Sequence, residues 1–494
     1  MSKYIISIDQ GTTSTRVCLV DQAGSLVLSQ SKPFEQIFPK PGWVEHNPEQ
    51  IWDTTKQCLQ DVISKSGINT LHIAGIGITN QRETVVAWNK KTGKPIYNAI
   101  VWQCRRTEEF CNQLKKKNKE KFINKTTGLL LDPYFSASKM RWILKNVVHA
   151  DRLQKQGELC FGTIDSFLLS RLTDGQSFAT DVTNASRTML MNLKTLNWDA
   201  QLLKIFGVEQ ASLPQILPST ARFGVTKGLG ILPDGIPICG IAGDQQAALF
   251  GQACYQVGEA KCTFGTGSFM LLNTGNKIFK SKSKLLTTVA WQIQGEKPVY
   301  ALEGGAFICG AAVQWLRDGI GLIKTSKEIE VLAKQVSDSA GVTFVPALTG
   351  IGAPYWRPEA RGILVGLTRG TTKAHIARAT LEAMALQNAE ILISMQKDIG
   401  KKLSSLKVDG GASSNNLLMQ IQADYLGCAV VRPEQIETTA MGAAYLAGVG
   451  CGLWRGLKDI QKIWRKDQEF RAQFSQKLRT EKLKSWQKVV KKAW

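Results

Sequence analysis

Long apolar runs are the first thing this chain lacks. Nothing in its 494 residues approaches the roughly 18 consecutive apolar positions that a membrane-crossing helix needs. The first residues read as a core strand, not as a basic region leading into a secretory signal. Histidine is scarce: the four present, His46, His72, His149 and His375, do not cluster as metal ligands, and no Ser-His-Asp set is legible. Eleven cysteines, among them Cys18, Cys58, Cys104, Cys111 and Cys160, form no CxxC pair and no zinc spacing. They read as reduced thiols packed like small hydrophobes, which predicts a cytoplasmic protein. No GKS or GKT follows a glycine-rich turn, so the chain has no P-loop. Acidic residues are also short, 40 against 62 Lys and Arg, for a formal net charge of +22. The excess gathers in "KKKNKEK" (Lys115 to Lys121) and from Lys477 to Lys492, with no nucleic-acid-binding motif beside it. Solvated helix faces are expected there, and no nucleic-acid partner. A basic surface also suits a small anionic ligand such as a nucleotide.

What is present is a soluble, two-domain composition, 43% hydrophobic and 21% charged. Strands are predicted near Ile5–Ile8, Thr15–Val20 and Leu26–Gln30, separated by turns at Gly11 and Gly24. A helix follows from about Pro48 to Lys65, with Asn47 as its N-cap and Gly67 past its end. "IAGIGIT" (Ile73 to Thr79) is an apolar strand of the parallel-sheet type. The opening device then returns about 250 residues later. "GEAKCTFGTGSFMLLNTG" (Gly258 to Gly275) is again strand, Gly-Thr turn, strand. A strand at Leu285–Ile293 and a helix carrying Gly310, Ala311, Val313 and Trp315 come after it. A long helix over Thr371–Gly400, a strand at Leu406–Gly411 and a helix with Leu417, Leu418 and Ile421 complete an α/β pattern. Two related domains, 1–250 and 251–494, with a cleft between them are the economical organisation.

Four stretches carry candidate chemistry. In "DQGTTSTR" (Asp9 to Arg16), Gly11 permits a close turn, and Thr12, Thr13 and Ser14 can cradle phosphate oxygens that Arg16 also reaches. Asp9 at the strand end is suited to a magnesium ion held through water. A polar hairpin turn is the plain alternative. "FGTGSF" (Phe264 to Phe269) offers Thr266 between two glycines, a second jaw for the same polyphosphate. In "DGGASSNN" (Asp409 to Asn416) a nucleoside can lie against the glycine pair with Asn415 at its base or sugar; a helix cap by Ser413 or Ser414 is the alternative. In "GIAGDQQAALFG" (Gly240 to Gly251), Asp244 is either a helix N-cap or the general base of a phosphoryl transfer.

Taken in order, these stretches resemble the FGGY sugar-kinase family, which contains glycerol, xylulose and gluconate kinases, and within it the glycerol kinases. "PGWVEHNPEQIW", "YFSASKMRW" and "GLTRGTTKAHIARATLE" look like family signatures. "GITNQRET" and "NAIVWQCRRT" are similar to the glycerol kinases in particular. The resemblance implies two ribonuclease H-like domains of the actin-like ATPase type, each a mixed sheet flanked by helices, with the catalytic cleft between them. It implies phosphorylation of glycerol by ATP with Mg²⁺, in the cytoplasm, by a homodimer or homotetramer. Arg82, Glu83, Tyr134, Asp244 and Gln245 would bind the triol, with Trp102 and Phe269 as apolar walls and Asp244 as base. Thr12, Thr13, Ser14, Arg16, Thr266, Gly310, Gln314, Gly411 and Asn415 would bind the nucleotide. Asp9 and Asp244 would hold the metal. The segment Val225 to Pro237, with Lys227 and no arginine, departs from the enteric members' fructose 1,6-bisphosphate loop. A kinase for another polyol or ketose is the neighbouring alternative. A chaperone-like ATPase switch is the more distant one.

Overall fold

The computed structural model describes residues 3–494 and is built around two mixed sheets. In the first, Tyr4–Gln10, Ser14–Asp21 and Leu26–Pro33 form an antiparallel meander. Ile73–Asn80 then pairs parallel with Tyr4–Gln10, and Pro237–Gly243 parallel with Ile73–Asn80. The two-residue alternation of the strands gives the sheet two buried faces. Ile6, Ile8, Val17 and Leu19 pack with Trp52 and Leu59 of the helix Pro48–Ser66, while Ile5 and Val20 point the other way, toward Leu249 and Tyr445. That helix is capped as its sequence predicts: the Asn47 side chain accepts the Glu49 N–H, and Gly67 at φ 65° ends it.

The second sheet repeats the scheme. Ala260–Phe264 and Ser268–Gly275 form a hairpin extended by Val299–Ala306, and Ser405–Asp409 and Ala429–Pro433 add parallel strands. Leu286–Trp291 and Lys466–Phe470 close the two edges. The 27-residue helix Lys373–Ile399 packs on this sheet. The strand Val299–Ala306 is absent from the sequence-based reading, which passes from Leu285–Ile293 straight to the helix at Gly310. Its glycine pair weakens the strand signal. Gly304 is there for packing, because a Cβ would come within 2.5 Å of Ile391 Cγ2 on the long helix.

One element ties the two sheets together. The helix Thr438–Gly450, late in the chain, returns to pack on the first sheet and on the helix Asp244–Gly251. It is apolar nearly all round and rich in small residues, as a helix buried on every side must be. Backbones meet so closely here that a Cβ on Gly77 would strike the Ala443 carbonyl, and one on Gly442 the Ala247 carbonyl. Asp244 therefore starts a helix wedged between the halves. The lysine runs lie on solvated helix faces: Lys115, Lys116, Lys117 and Lys121 are exposed, and Gln476–Val490 buries only Trp486 and Val490. Among the described residues no helix is long and apolar enough to cross a membrane.

Candidate active site

The loop after Ile73–Asn80 carries Arg82 and Glu83 into the space between the sheets, and both are buried. Glu83 sits at φ 62°, a left-handed conformation that a non-glycine residue adopts under constraint; Ser136 Oγ donates to its carbonyl at 3.1 Å. Arg82 is gripped from three sides. Its Nη1 and Nη2 donate to the two carboxylate oxygens of Glu303 at 2.6 and 3.0 Å, and Nη1 also to Gln246 Oε1 at 3.1 Å. Its Nε lies 3.0 Å from Asp244 Oδ1. Arg187 completes the cluster, donating from Nε to Glu83 Oε1 at 2.6 Å and from Nη2 to Glu303 Oε1 at 3.0 Å.

The side chains of Arg82, Arg187, Glu83 and Glu303 are each at most 2% exposed, so their charges persist only because they are paired. Burial works to raise the Glu303 carboxyl, but the Arg187 and Arg82 guanidiniums outweigh it and leave it below its ordinary value. At Glu83 the balance tips the other way: burial dominates both arginines and raises the carboxyl. Asp244 keeps 29% of its side chain exposed. It caps no helix. The N-cap is Gly243, and Asp244 Oδ1 accepts only its neighbour's N–H, from Gln245 at 2.7 Å, besides facing Arg82. The capping alternative for Asp244 therefore falls away.

Three aromatic rings enclose this polar floor. Trp102 stands edge-on to Tyr134 at 5.5 Å between centroids and to Phe269 at 6.4 Å. Lys139, buried in the helix Ser136–Asn146, holds the Tyr134 loop by donating to the carbonyls of Pro133, Tyr134 and Phe135 at 2.6, 2.7 and 3.1 Å. Burial pulls its ammonium down to about 8. The structure thus brings Arg82, Glu83, Tyr134, Asp244, Gln245, Trp102 and Phe269 into one neighbourhood. Sequence reasoning missed Glu303, Arg187, Gln246, Lys139 and Lys261. Each is a buried polar residue that no local sequence pattern marks.

The phosphate side is built differently. Trp102 Nε1 donates to Thr12 Oγ1 at 3.1 Å, which joins the aromatic wall to the first turn. Gly11 N–H closes that turn on the Ser14 carbonyl at 3.0 Å, and the amides of Thr12 and Thr13 meet no protein acceptor among the described residues. In the second turn Gly265 N–H closes on the Gly267 carbonyl at 2.9 Å, leaving the Thr266 and Gly267 amides similarly unpaired. Pairs of unpaired turn amides are anion-binding concavities. The helix at Gly310 holds the second turn through Cys309 N–H and Ala311 N–H to the Thr266 carbonyl, at 2.8 and 3.0 Å.

A Cβ on Gly310 would come within 2.6 Å of the Gly265 carbonyl. Gln314 and Gly411 are exposed, and Gly410, at φ 83°, lets the third loop lie against Phe264. Asn415 itself caps the following helix, its Oδ1 accepting the Leu418 N–H at 2.9 Å, while Ser413 and Ser414 bond back to Gly410 and Gly411. The cap is Asn415 instead of either serine. Only its amide nitrogen remains for a ligand. Arg16 pairs with Glu437, at the start of the helix that ties the halves together.

Asp9 faces the same space. Burial pushes its carboxyl up to about 6, with Arg16 pulling it down and Asp244 adding to the rise. Neither of its oxygens accepts a protein hydrogen bond among the described residues, which fits an oxygen donor for a hard cation. No group of three or more His, Cys, Asp or Glu side chains gathers anywhere among the described residues.

Comparison with known proteins gives the family. The N-terminal domain of the FGGY family of carbohydrate kinases matches residues 4–251, and its C-terminal domain residues 260–451. The glycerol kinase of Bdellovibrio bacteriovorus is 61% identical over 492 residues, which cover 100% of this chain and 99% of that protein. The glycerol kinase of Desulforamulus reducens is 52% identical, covering 99% and 97%. The crystal structure of Plasmodium falciparum glycerol kinase with ADP matches with a TM-score of 0.93 at 38% identity, covering 99% of this chain and 98% of that one. With both domains matched and full-length relatives identical at more than every second position, the chain belongs to the FGGY family of carbohydrate kinases.

Proposed function

We propose that the chain transfers the γ-phosphoryl group of ATP to glycerol, giving sn-glycerol 3-phosphate and ADP. One observation carries the choice of substrate. The buried Arg82–Glu303–Arg187–Glu83 cluster balances its own charges and still leaves Glu83 Oε2, Asp244 Oδ2 and Gln245 Nε2 without a hydrogen-bond partner among the described residues, beneath three aromatic rings. A small triol supplies the complementary hydroxyls, and an analogue lacking one would leave a buried group unpaired.

In this reading Asp244 accepts the proton of the attacking hydroxyl, and Arg82, 3.0 Å away, fixes the carboxylate. Trp102 and Phe269 exclude water and align the carbon chain. The unpaired amides of Thr12, Thr13, Thr266 and Gly267, with Ser14 and Arg16, cradle the phosphates; Gly310, Gln314, Gly411 and Asn415 hold the nucleoside side. Asp9 and Asp244 would hold Mg²⁺, which supplies charge neutralisation at the transferring phosphoryl group when bound. Closure of the halves would shut water out of the transfer.

We place the division between the halves at 1–250 and 251–494, supported by the two sheets that lie on either side of it. Eleven free cysteines, nine of them buried, support a reducing, cytoplasmic setting. A homodimer or homotetramer accompanies the family resemblance, and light scattering measures it. The test of the reaction is the product. Glycerol incubated with ATP, Mg²⁺ and the chain should give the sn-3 phosphate alone, and phosphorylation at C2 or a racemic product would overturn the proposed pose.

A further inference from the structure

Lys261 is a fully buried cation with no part in the transfer as set out above. It lies in the strand Ala260–Phe264, which runs into the second phosphate turn. Its Nζ donates to Gln245 Oε1 at 2.5 Å and to Thr263 Oγ1 at 2.7 Å. Burial pulls the ammonium below its ordinary value, against the opposing charges of Asp409 and Asp244. A methionine would fill the same space without burying a charge, so the lysine's presence calls for a reason beyond packing.

The reason follows from hydrogen-bond chemistry. A glutamine amide can present either its oxygen or its nitrogen, and the two orientations are nearly isosteric. An ammonium only donates. The atom that Gln245 turns toward Lys261 must therefore be Oε1, which sends Nε2 the other way. The side-chain hydrogen bond that Gln245 makes among the described residues uses Oε1, and none uses that Nε2. Asp244 is the adjacent residue, with its Oδ1 already occupied by Arg82 and the Gln245 backbone N–H.

We propose that Lys261 is a positioning residue that locks the Gln245 amide with its oxygen inward, so that Nε2 stands as a fixed donor to a polyol hydroxyl. The lock also removes a competitor. With Oε1 inward, Asp244 is the acceptor beside that hydroxyl, so the hydroxyl accepts from Gln245 and donates its proton to Asp244. This inference rests on the proposed transfer to a polyol, and wild-type turnover of glycerol tests that reading separately.

The experiment is a double-mutant cycle on glycerol kcat/KM with Lys261→Met and Gln245→Leu, read alongside the KM for ATP. Each single change should lower kcat/KM for glycerol about 10- to 100-fold while leaving the KM for ATP within about twofold. The double variant should be little worse than either single one. Multiplicative losses, or an equal rise in the KM for ATP, would overturn the proposal. Gln245→Glu covers the case in which Lys261→Met fails to fold, because it keeps the contact to Lys261 and converts the presented donor into an acceptor. It should lose as much glycerol kcat/KM as Gln245→Leu, and wild-type behaviour would refute the lock.

Discussion

At the polyol end of the cleft, Arg82, Arg187, Glu83 and Glu303 are buried and paired with one another. At the nucleotide end, Thr13, Thr266, Gln314 and Gly411 are exposed, and the turns present unpaired amides in place of charged side chains. The difference follows from what each ligand brings. A triol carries no charge and offers only hydroxyls, so its site must hold fixed donors and acceptors, and that rigidity requires a buried, charge-balanced floor. A polyphosphate carries its own charge, and exposed backbone turns with unpaired amides are enough to hold it. The cationic side chain assigned to that end, Arg16, is meanwhile engaged by Glu437.

If the two ends are built on these different principles, changes at them should fail differently. The largest effect belongs to the base. Asp244→Asn should lower kcat by about 10³- to 10⁴-fold while ATP binding, followed by fluorescence titration, stays within about twofold; near-wild-type turnover would remove Asp244 from its role. Glu303→Gln should cost about 3–5 kcal/mol in urea unfolding, because Arg82 and Arg187 lose their shared counter-charge. A loss under about 1 kcal/mol would contradict the pre-built floor.

Lys139 adds a pH signature. Its pKa falls from 10.5 to about 8 on folding, so between those values the unfolded chain binds more protons and the lysine's contribution to stability grows as pH rises. The stability of the wild type relative to Lys139→Met should therefore increase between pH 8 and 10.5, by up to roughly 3 kcal/mol. A flat difference would mean that the ammonium is not held as described. Thr266→Ala, at the open end, should raise the KM for ATP about fivefold and leave the melting temperature unchanged. A large drop in melting temperature would erase the contrast between the two ends. The smallest change is expected from Glu437→Gln, which frees Arg16 and should lower the KM for ATP by about twofold, as the loss of a half-exposed ion pair allows. A higher KM would show that Glu437 helps to bind nucleotide.

The open end was the more legible in the sequence. Strand, Gly-Thr turn, strand is a local pattern, and "DQGTTSTR" and "FGTGSF" both fold as written. Asn47, Gly67 and Gly400 likewise mark helix ends by local chemistry. The floor of the polyol site was half hidden. Arg82 and Glu83 stand in a recognisable loop, but Arg187 lies 104 residues beyond its partner Glu83 and Glu303 lies 221 beyond its partner Arg82, and no local spacing links them. Glu303 is also in the strand whose glycines concealed it. Lys139 and Lys261 read as ordinary members of a helix and a strand until their surroundings are seen to be dry. Asp244 lay between these cases, since a helix start invites a capping role, and the Gly243 N-cap together with the contact to Arg82 decides against it.

The central claim is that this pre-built floor selects glycerol as the phosphoryl acceptor. It is tested most directly by ADP release from the purified chain supplied with ATP and Mg²⁺, and with glycerol, xylulose, gluconate or no acceptor. The account predicts release that requires glycerol and equals the glycerol 3-phosphate formed. Hydrolysis that proceeds without any polyol, or turnover that prefers the ketose or the sugar acid, would contradict it.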